Sequence, residues 1–170
     1  MIAPTNKPTL VQWANLSFVI MDAPTNDNLQ FYLKELKKYN VTDLVRACEI
    51  TYDREAVNAA GINVHELEFP DGEPPDDDIF QRWLSLVADR FKENQPKPTL
   101  SNRSIAVHCV AGLGRAPVLV AIALIENGVD PISAVEHIRK FRRGAINLRQ
   151  LKYLEKYQPH FGQKQKCTIM

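Results

Sequence analysis

Short runs with the pattern of a strand recur along the first two thirds of the chain. Leu16–Met21 and Asp43–Arg46 have the pattern of buried strands, and Asn63–Phe69 alternates like a half-buried one. A further apolar run, Ser104–His108, follows a polar connection that two prolines interrupt. These runs predict the strands of a sheet.

Between and after these strands the apolar residues recur at helical spacing. Thr25 or Asn26 is placed to cap the first helix, and the aspartates at 76–78 are placed to begin the second. The predicted helices cover 29–39, 79–94, Ala116–Asn127, Pro131–Phe141 and Leu148–Tyr157. Such alternation is typical of an α/β domain, in which helices cover both faces of a mostly parallel sheet.

Composition and charge are those of one ordinary domain. The chain has 170 residues, and its 21 lysines and arginines nearly balance its 20 aspartates and glutamates, so no overall field attracts nucleic acid. No secretory signal is expected, and no apolar run approaches the roughly 18 residues that span a bilayer. The three cysteines, Cys48, Cys109 and Cys167, fit neither a disulfide framework nor a zinc site. We therefore expect a cytosolic protein without a metal or cofactor.

The stretch from Cys109 to Arg115 has the pattern of an anion site. An apolar strand ends at Cys109, five residues with two glycines follow, and Arg115 opens an apolar helix. Such a loop directs backbone N–H groups and a helix N-terminus at one point, which favours both a phosphate and a thiolate. The expected phosphate-binding residues are Arg115 and the loop residues Val110, Ala111, Gly112, Leu113 and Gly114. Nucleophile, amides and arginine together predict cysteine-dependent hydrolysis of phosphate esters.

Two further residues, Cys48 and His108, allow a purely structural role as well as a functional one. Cys48 alone is most simply a buried, inert cysteine, and His108 alone is most simply a hydrogen-bonded core histidine. Because His108 directly precedes Cys109, we expect it to orient the loop and to favour the thiolate.

A general acid is expected on the loop Phe69–Pro75, which three prolines and a glycine keep out of helix and strand. Asp71 is the candidate, because proline stiffens one side of it and glycine provides a hinge on the other. The competing aspartates at 76–78 are expected to begin the next helix instead.

The segment from His108 to Pro117 resembles the signature loop of the PRL phosphatases (protein tyrosine phosphatase type IVA). The Cys-x5-Arg spacing alone is shared by many cysteine phosphatases, but Ala116, Cys48 and the C-terminal Cys-a-a-X motif narrow the resemblance to PRL. Further similar segments are Pro24–Asn26, Leu36–Tyr39, Leu44–Arg46, Thr51–Asp53, Arg142–Ala145 and Tyr153–Tyr157. The resemblance implies a dual-specificity phosphatase domain over residues 1–162 and a flexible tail over 163–170.

The resemblance also implies roles for single residues: Cys109 is the nucleophile, Arg115 binds phosphate and Asp71 is the acid. Ala116 stands where related phosphatases usually carry a hydroxyl, so we expect slow hydrolysis of a cysteinyl-phosphate. Cys48 follows a strand that is expected to end at the same sheet edge as Cys109, and the resemblance implies a redox disulfide between the two. In this family two acidic residues usually stand together on the acid loop, whereas here Pro70 precedes Asp71.

The C-terminus Cys167-Thr168-Ile169-Met170 fits a substrate of farnesyltransferase, and a lipid-anchored protein is expected both in the cytoplasm and on the cytoplasmic face of plasma or endosomal membranes. The tail has one cysteine rather than the family's pair, and Lys164 and Lys166 are its only basic neighbours. A single lipid chain with so little basic charge predicts marginal, reversible membrane binding.

The loop positions Val110, Ala111 and Leu113 are uncharged, which fits one phosphate better than several. Phosphopeptide, monophosphorylated lipid and an acidic side chain of a partner all remain open as ligands. Two functions follow: slow hydrolysis of phosphotyrosine or another phosphomonoester, or a phosphorylation- or redox-switched binding module. The resemblance implies a CNNM-type magnesium transport mediator as the partner of that module, and self-association is left open.

Overall fold

The computed structural model describes residues 7–91 and 103–160, and its five strands form a single sheet. The strands are β1 (Thr9–Trp13), β2 (Leu16–Met21), β3 (Val41–Arg46), β4 (Asn63–Glu66) and β5 (Ser104–His108). Their order in the sheet is β1-β2-β5-β3-β4, and only β1 runs antiparallel to its neighbour. The predicted α/β fold with a mostly parallel sheet is confirmed.

Six helices in the described residues complete the fold. They are α1 (Leu29–Lys38), α2 (Arg54–Ala59), α3 (Asp77–Arg90), α4 (Arg115–Glu126), α5 (Pro131–Phe141) and α6 (Leu148–Glu155). Every residue of helix α4 from Arg115 to Ile125 is buried, as expected of a helix that is apolar nearly all round. None of the helices described is long and apolar enough to cross a bilayer.

Each face of the sheet carries its own apolar cluster, because successive side chains of a strand point to opposite faces. Phe18 and Ile20 of β2 pack into the larger cluster, which holds the apolar faces of α3, α4 and α5. Val19 and Met21 pack into the smaller cluster with α1 and Val57 of α2. The sheet is therefore covered on both sides, as predicted.

The structure differs from the sequence prediction at the less regular elements. β1 and α2 were not expected, since β1 is a half-exposed edge strand and α2 has six residues with one buried side chain. The strand expected over Asn63–Phe69 ends at Glu66. The amides of Leu67 and Phe69 still donate hydrogen bonds to the carbonyls of Arg46 and Ala47 at the end of β3. The expected helix caps Thr25 and Asn26 are wrong, because Asn28 occupies the N-cap of α1.

The ends of the longer helices lie within a few residues of their predicted positions. Asp76 caps α3 by accepting a hydrogen bond from the Ile79 amide, which confirms a structural role for the aspartates at 76–78. Helix α3 ends at Arg90, four residues before the predicted Asn94, which itself lies outside the described residues, as does the tail 163–170 with Cys167.

Candidate active site

The loop between β5 and α4 forms the floor of the candidate site. Cys109 follows the last residue of β5 and is 3% exposed, and Gly114 is the N-cap of α4. Among the hydrogen bonds of the described residues, none uses a backbone amide of residues 110–114 as donor. Five N–H groups and a helix N-terminus are therefore free to bind an anion beside the Cys109 sulfur.

Gly112 is required by this loop for two reasons. Its φ of 70° lies in the left-handed region that favours glycine. A Cβ at this position would also lie 2.5 Å from both the Met21 carbonyl oxygen and Nη2 of Arg142. The loop passes too close to β2 for any side chain to fit.

Arg115 begins α4 and is 7% exposed. Its Nη1 donates a hydrogen bond of 3.1 Å to the Phe69 carbonyl, which ties it to the loop that follows β4. Its Nε is buried and has no hydrogen-bond partner among the described residues. The guanidinium therefore keeps a free donor that a phosphate oxygen can use.

Asp71 lies opposite Arg115 at the tip of a turn that the hydrogen bond from the Glu73 amide to the Pro70 carbonyl closes. Its Oδ1 is 3.8 Å from Arg115 Nε, and its side chain is 81% exposed. The same oxygen lies 3.9 Å from where a Cβ on Gly114 would be, so the carboxylate faces the phosphate loop. The fold thus brings Asp71, from the turn after β4, to the loop that carries both Cys109 and Arg115.

His108 is fully buried behind Cys109 and connects to both sides. Its Nε2 lies 2.6 Å from the Tyr52 hydroxyl and its Nδ1 lies 3.2 Å from the Cys109 carbonyl oxygen. Burial raises the pKa of Tyr52, so the phenol stays protonated and donates a hydrogen bond to Nε2. The proton of the neutral imidazole is then on Nδ1, which donates to the Cys109 carbonyl oxygen. Burial also lowers the pKa of His108 to about 4. His108 is therefore neutral at pH 7, and its predicted support of a thiolate cannot come from a positive charge.

Cys48 lies beside this pair. β3 is the neighbour of β5 in the sheet, with Arg46 opposite His108. Cys48 and Cys109 therefore follow the ends of two adjacent strands, and adjacent strands lie about 4.8 Å apart. The Cys48 sulfur is 3.7 Å from Nδ1 of His108, and both cysteines are free thiols. Burial raises the pKa of Cys48 to about 12, so Cys48 is a protonated thiol at pH 7.

Two site residues carry no role in the sequence prediction, although they lie in or next to segments that resemble PRL. Tyr52 holds His108, and Arg142 donates hydrogen bonds to the carbonyls of Ala111 and Gly112. The adjacent Arg142 and Arg143 look alike in sequence, but only Arg142 is buried. No local signal separates the two, since the difference arises from how the end of α5 meets the loop.

The rim of the site carries apolar side chains. Val110 is 52% exposed, Ala111 is exposed, and Ala116 is fully buried behind the loop. Among the described residues, no group of His, Cys, Asp and Glu side chains is arranged to hold a metal ion.

Comparison with known proteins assigns this arrangement to a family. The family model for protein-tyrosine phosphatase matches residues 22–157. A probable protein tyrosine phosphatase type IVA A from Dictyostelium discoideum is 48% identical, over 97% of this chain and 95% of its own. Human protein tyrosine phosphatase type IVA 3 is 48% identical over 89% of this chain and 84% of its own.

Solved structures agree with the sequence comparison. A putative protein tyrosine phosphatase from Leishmania major has a TM-score of 0.81 and 41% identity, covering 90% of this chain and 99% of its own. PTPMT1 shares the fold at a TM-score of 0.65 with 19% identity, covering 93% of this chain and 96% of its own. With a strand-end cysteine, a loop of free amides and a buried arginine in place, the chain belongs to the protein tyrosine phosphatase type IVA (PRL) family of cysteine-based phosphatases.

Proposed function

We propose that this phosphatase hydrolyses phosphotyrosine and related phosphomonoesters slowly, through a cysteinyl-phosphate. The observation that carries the proposal is the placement of Cys109, the five free loop amides, Arg115 and Asp71 around one point. The Cys109 thiolate attacks phosphorus while the P–O bond to the substrate breaks, and Asp71 gives its proton to the departing oxygen. Water then attacks phosphorus, the P–S bond breaks and Asp71 takes up a proton as phosphate forms. The loop amides and Arg115 stabilise the charge on the phosphoryl oxygens in both steps.

Steady-state hydrolysis of para-nitrophenyl phosphate and of a phosphotyrosine peptide, in the presence of a chelator, tests this mechanism. Cys109→Ser and Arg115→Met should each lose at least 100-fold in kcat/KM. Asp71→Asn should lose activity mainly on the phosphopeptide, because its leaving group needs a proton more than para-nitrophenolate does. The matched control is Asp78→Asn, which removes a carboxylate that is 76% exposed on α3. Full activity of Cys109→Ser would sink the proposal.

The redox disulfide between Cys48 and Cys109 is a second part of the proposal. It is supported by the position of the two cysteines after adjacent strand ends. The Cys48 sulfur also contacts the side chain of His108, the residue that directly precedes Cys109. Peroxide oxidises the Cys109 thiolate to a sulfenic acid, and the Cys48 thiol then forms the S–S bond as water leaves. Mass spectrometry after mild peroxide should find this bond, and a reductant should restore activity. In Cys48→Ser the loss should become irreversible, whereas Cys167→Ser should behave like the parent protein.

The alternative function is binding of an acidic side chain of a partner in the same site. The uncharged, partly exposed rim at Val110 and Ala111 favours this alternative. A purified CBS-domain fragment of a CNNM-type transport mediator should then bind the unmodified protein, and binding should fall when Cys109 is phosphorylated or when Arg115 is changed to Met. Equal binding by Arg115→Met would exclude docking through the phosphate loop.

Lipid anchoring through Cys167 is proposed from the sequence motif alone. Farnesyltransferase would modify Cys167, and the protein would divide between cytoplasm and membranes. Cell fractionation of Cys167→Ser should find all of the protein in the soluble fraction. A membrane fraction equal to that of the parent protein would show that another contact holds it there.

A further inference from the structure

Arg142 is a buried arginine that binds no carboxylate directly within residues 7–91 and 103–160. Its side chain is 5% exposed, just after the end of α5. Its hydrogen-bond acceptors in the described part of the chain are all carbonyl or hydroxyl oxygens. They are the carbonyls of Gly112 (2.7 Å), Ala111 (3.3 Å), Ile20 (3.3 Å) and Lys7 (3.3 Å), and the Thr9 hydroxyl (2.9 Å). Burial of a charge is costly unless the charge is paired and hydrogen-bonded, and here neutral oxygens supply the hydrogen bonds.

Two of these acceptors are successive carbonyls of the phosphate loop. In a trans peptide the C=O of one residue and the N–H of the next point in opposite directions. Bonds from Arg142 to the carbonyls of Ala111 and Gly112 therefore turn the amides of Gly112 and Leu113 away from Arg142. Those amides are among the five that have no partner within the described residues. The guanidinium thus fixes the direction of the donors that an anion would meet.

The other contacts of Arg142 provide a rigid support. Ile20 and Thr9 belong to β2 and β1, so the guanidinium joins the loop to the sheet. Gly112 leaves the space, since a Cβ there would lie 2.5 Å from Nη2 of Arg142. The charged and titratable groups facing Arg142 are Asp22, Tyr32 and Cys109, and Asp22 in turn accepts a hydrogen bond from Tyr32.

We propose that Arg142 is a positioning residue of the active site, which holds the phosphate loop in its anion-binding conformation from behind. This inference rests on the proposed phosphatase function and names a residue that acts without touching substrate. The buried charge of Arg142 also lies close enough to Cys109 to interact with it electrostatically. A positive charge there also attracts a bound phosphate.

The test measures inhibition by inorganic phosphate during hydrolysis of para-nitrophenyl phosphate, together with KM, kcat and the melting temperature. Arg142→Gln should raise both the inhibition constant and KM at least tenfold, and Arg142→Lys should restore part of each. Arg143→Gln is the matched control, because it removes the exposed neighbouring arginine. Thr9→Val removes one bond that holds the guanidinium on the strand side, and it should raise the inhibition constant less than Arg142→Gln does.

An inhibition constant for Arg142→Gln within twofold of the parent value would overturn the inference, whatever happens to the melting temperature. If the parent protein itself neither hydrolyses the ester nor binds phosphate, the proposed function fails instead. The parent protein provides a second measurement in case the variants do not fold. Saturating phosphate should shift the NMR signal of the Arg142 Nε–H, which donates to Gly112. An unchanged signal in a protein that binds phosphate would also overturn the inference.

Discussion

At the scale of single residues, the important property of Ala116 is the hydrogen-bond donor that its side chain lacks. It follows Arg115 in the first turn of α4, is fully buried and carries no hydroxyl to donate a hydrogen bond to a departing sulfur. In the proposed mechanism, the lack of such a donor would slow the second chemical step, in which the thiolate is the leaving group.

Ala116→Ser is therefore expected to raise steady-state kcat several-fold and to shrink the pre-steady-state burst seen by rapid quench. The matched control is Ala121→Ser, which buries a hydroxyl at another fully buried alanine of the same helix. A serine variant no faster than the parent protein, with no burst in either, would show that breakdown of the intermediate is not limiting.

His108 makes folding stability depend on pH in the mildly acidic range. Its folded-state pKa of about 4 lies below the roughly 6.5 of an unfolded histidine, because burial disfavours the charged form. As pH falls through about 6.5 the unfolded chain takes up a proton that the folded protein does not, so folding stability is lost between about pH 6.5 and pH 4.

Urea unfolding from pH 7 to pH 4.5 should show a loss of about 2.5 kcal/mol in the free energy of unfolding. His108→Asn should remove most of this slope, although it also breaks the bond to Tyr52. His160→Gln, at a side chain that is 61% exposed, should retain the slope. An identical slope in His108→Asn would assign the pH dependence to other groups.

At the scale of elements, the turn from β5 into α4 combines a backbone requirement with a close approach. Gly112 has a positive φ and no room for a Cβ, whereas Gly128 has a φ of 94° and open space around its Cβ position. The two glycines share the conformational requirement and differ in packing.

Gly112→Ala should cost more stability than Gly128→Ala, because only the first must move the Met21 carbonyl as well as pay strain of about 1–2 kcal/mol. It should also lose at least tenfold in kcat/KM, since the loop amides shift with the backbone. Thermal unfolding and steady-state kinetics of both variants measure these effects. Equal effects of the two substitutions would mean that the loop relaxes away from β2 without consequence.

At the scale of the whole molecule, Asp43 ties the edge of the sheet to a helix far along the chain. It is fully buried in β3, accepts two hydrogen bonds from Arg90 of α3, and lies 2.8 Å from Nε2 of His65 in β4. Burial alone would raise its pKa, but hydrogen bonds from His65, Arg90 and Thr42 hold it well below the usual range. Because the folded-state pKa is depressed, this stabilisation is present above about pH 4 and is lost as pH falls further.

Asp43→Asn should lower the free energy of unfolding at pH 7 by about 3 kcal/mol, since it removes the carboxylate to which the partly buried Arg90 is hydrogen-bonded. The difference from the parent protein should shrink below about pH 4, where the carboxyl of the unfolded chain is also protonated. Asp78→Asn on the exposed side of α3 should change stability by less than about 0.5 kcal/mol. Activity at 25 °C should survive in both, because Asp43 is opposite Ile105 in the sheet, three residues before His108.

The longer elements and the chemistry of the loop were predictable because they depend on local patterns. Leu16–Met21, Pro131–Phe141 and Ser104–His108 have the predicted bounds, since apolar runs and helical periods are properties of neighbouring residues. The spacing from Cys109 to Arg115 likewise predicted an anion site, because a glycine-rich turn into a helix fixes where amides point. The short edge strand β1 and the six-residue α2 escaped prediction, as their stability comes from neighbours rather than from their own pattern.

The sequence by itself determined the fold class, the family and the nucleophile-containing loop. Only the tertiary structure decided which distant groups meet that loop. The parallel pairing of β3 with β5 sets Cys48 beside His108, and the turn after β4 puts Asp71 opposite Arg115. The protonation of His108 and the inward position of Arg142 rather than Arg143 depend in the same way on burial. Burial is a property of the packed molecule, because the same side chain is solvated or enclosed according to residues far away in the chain.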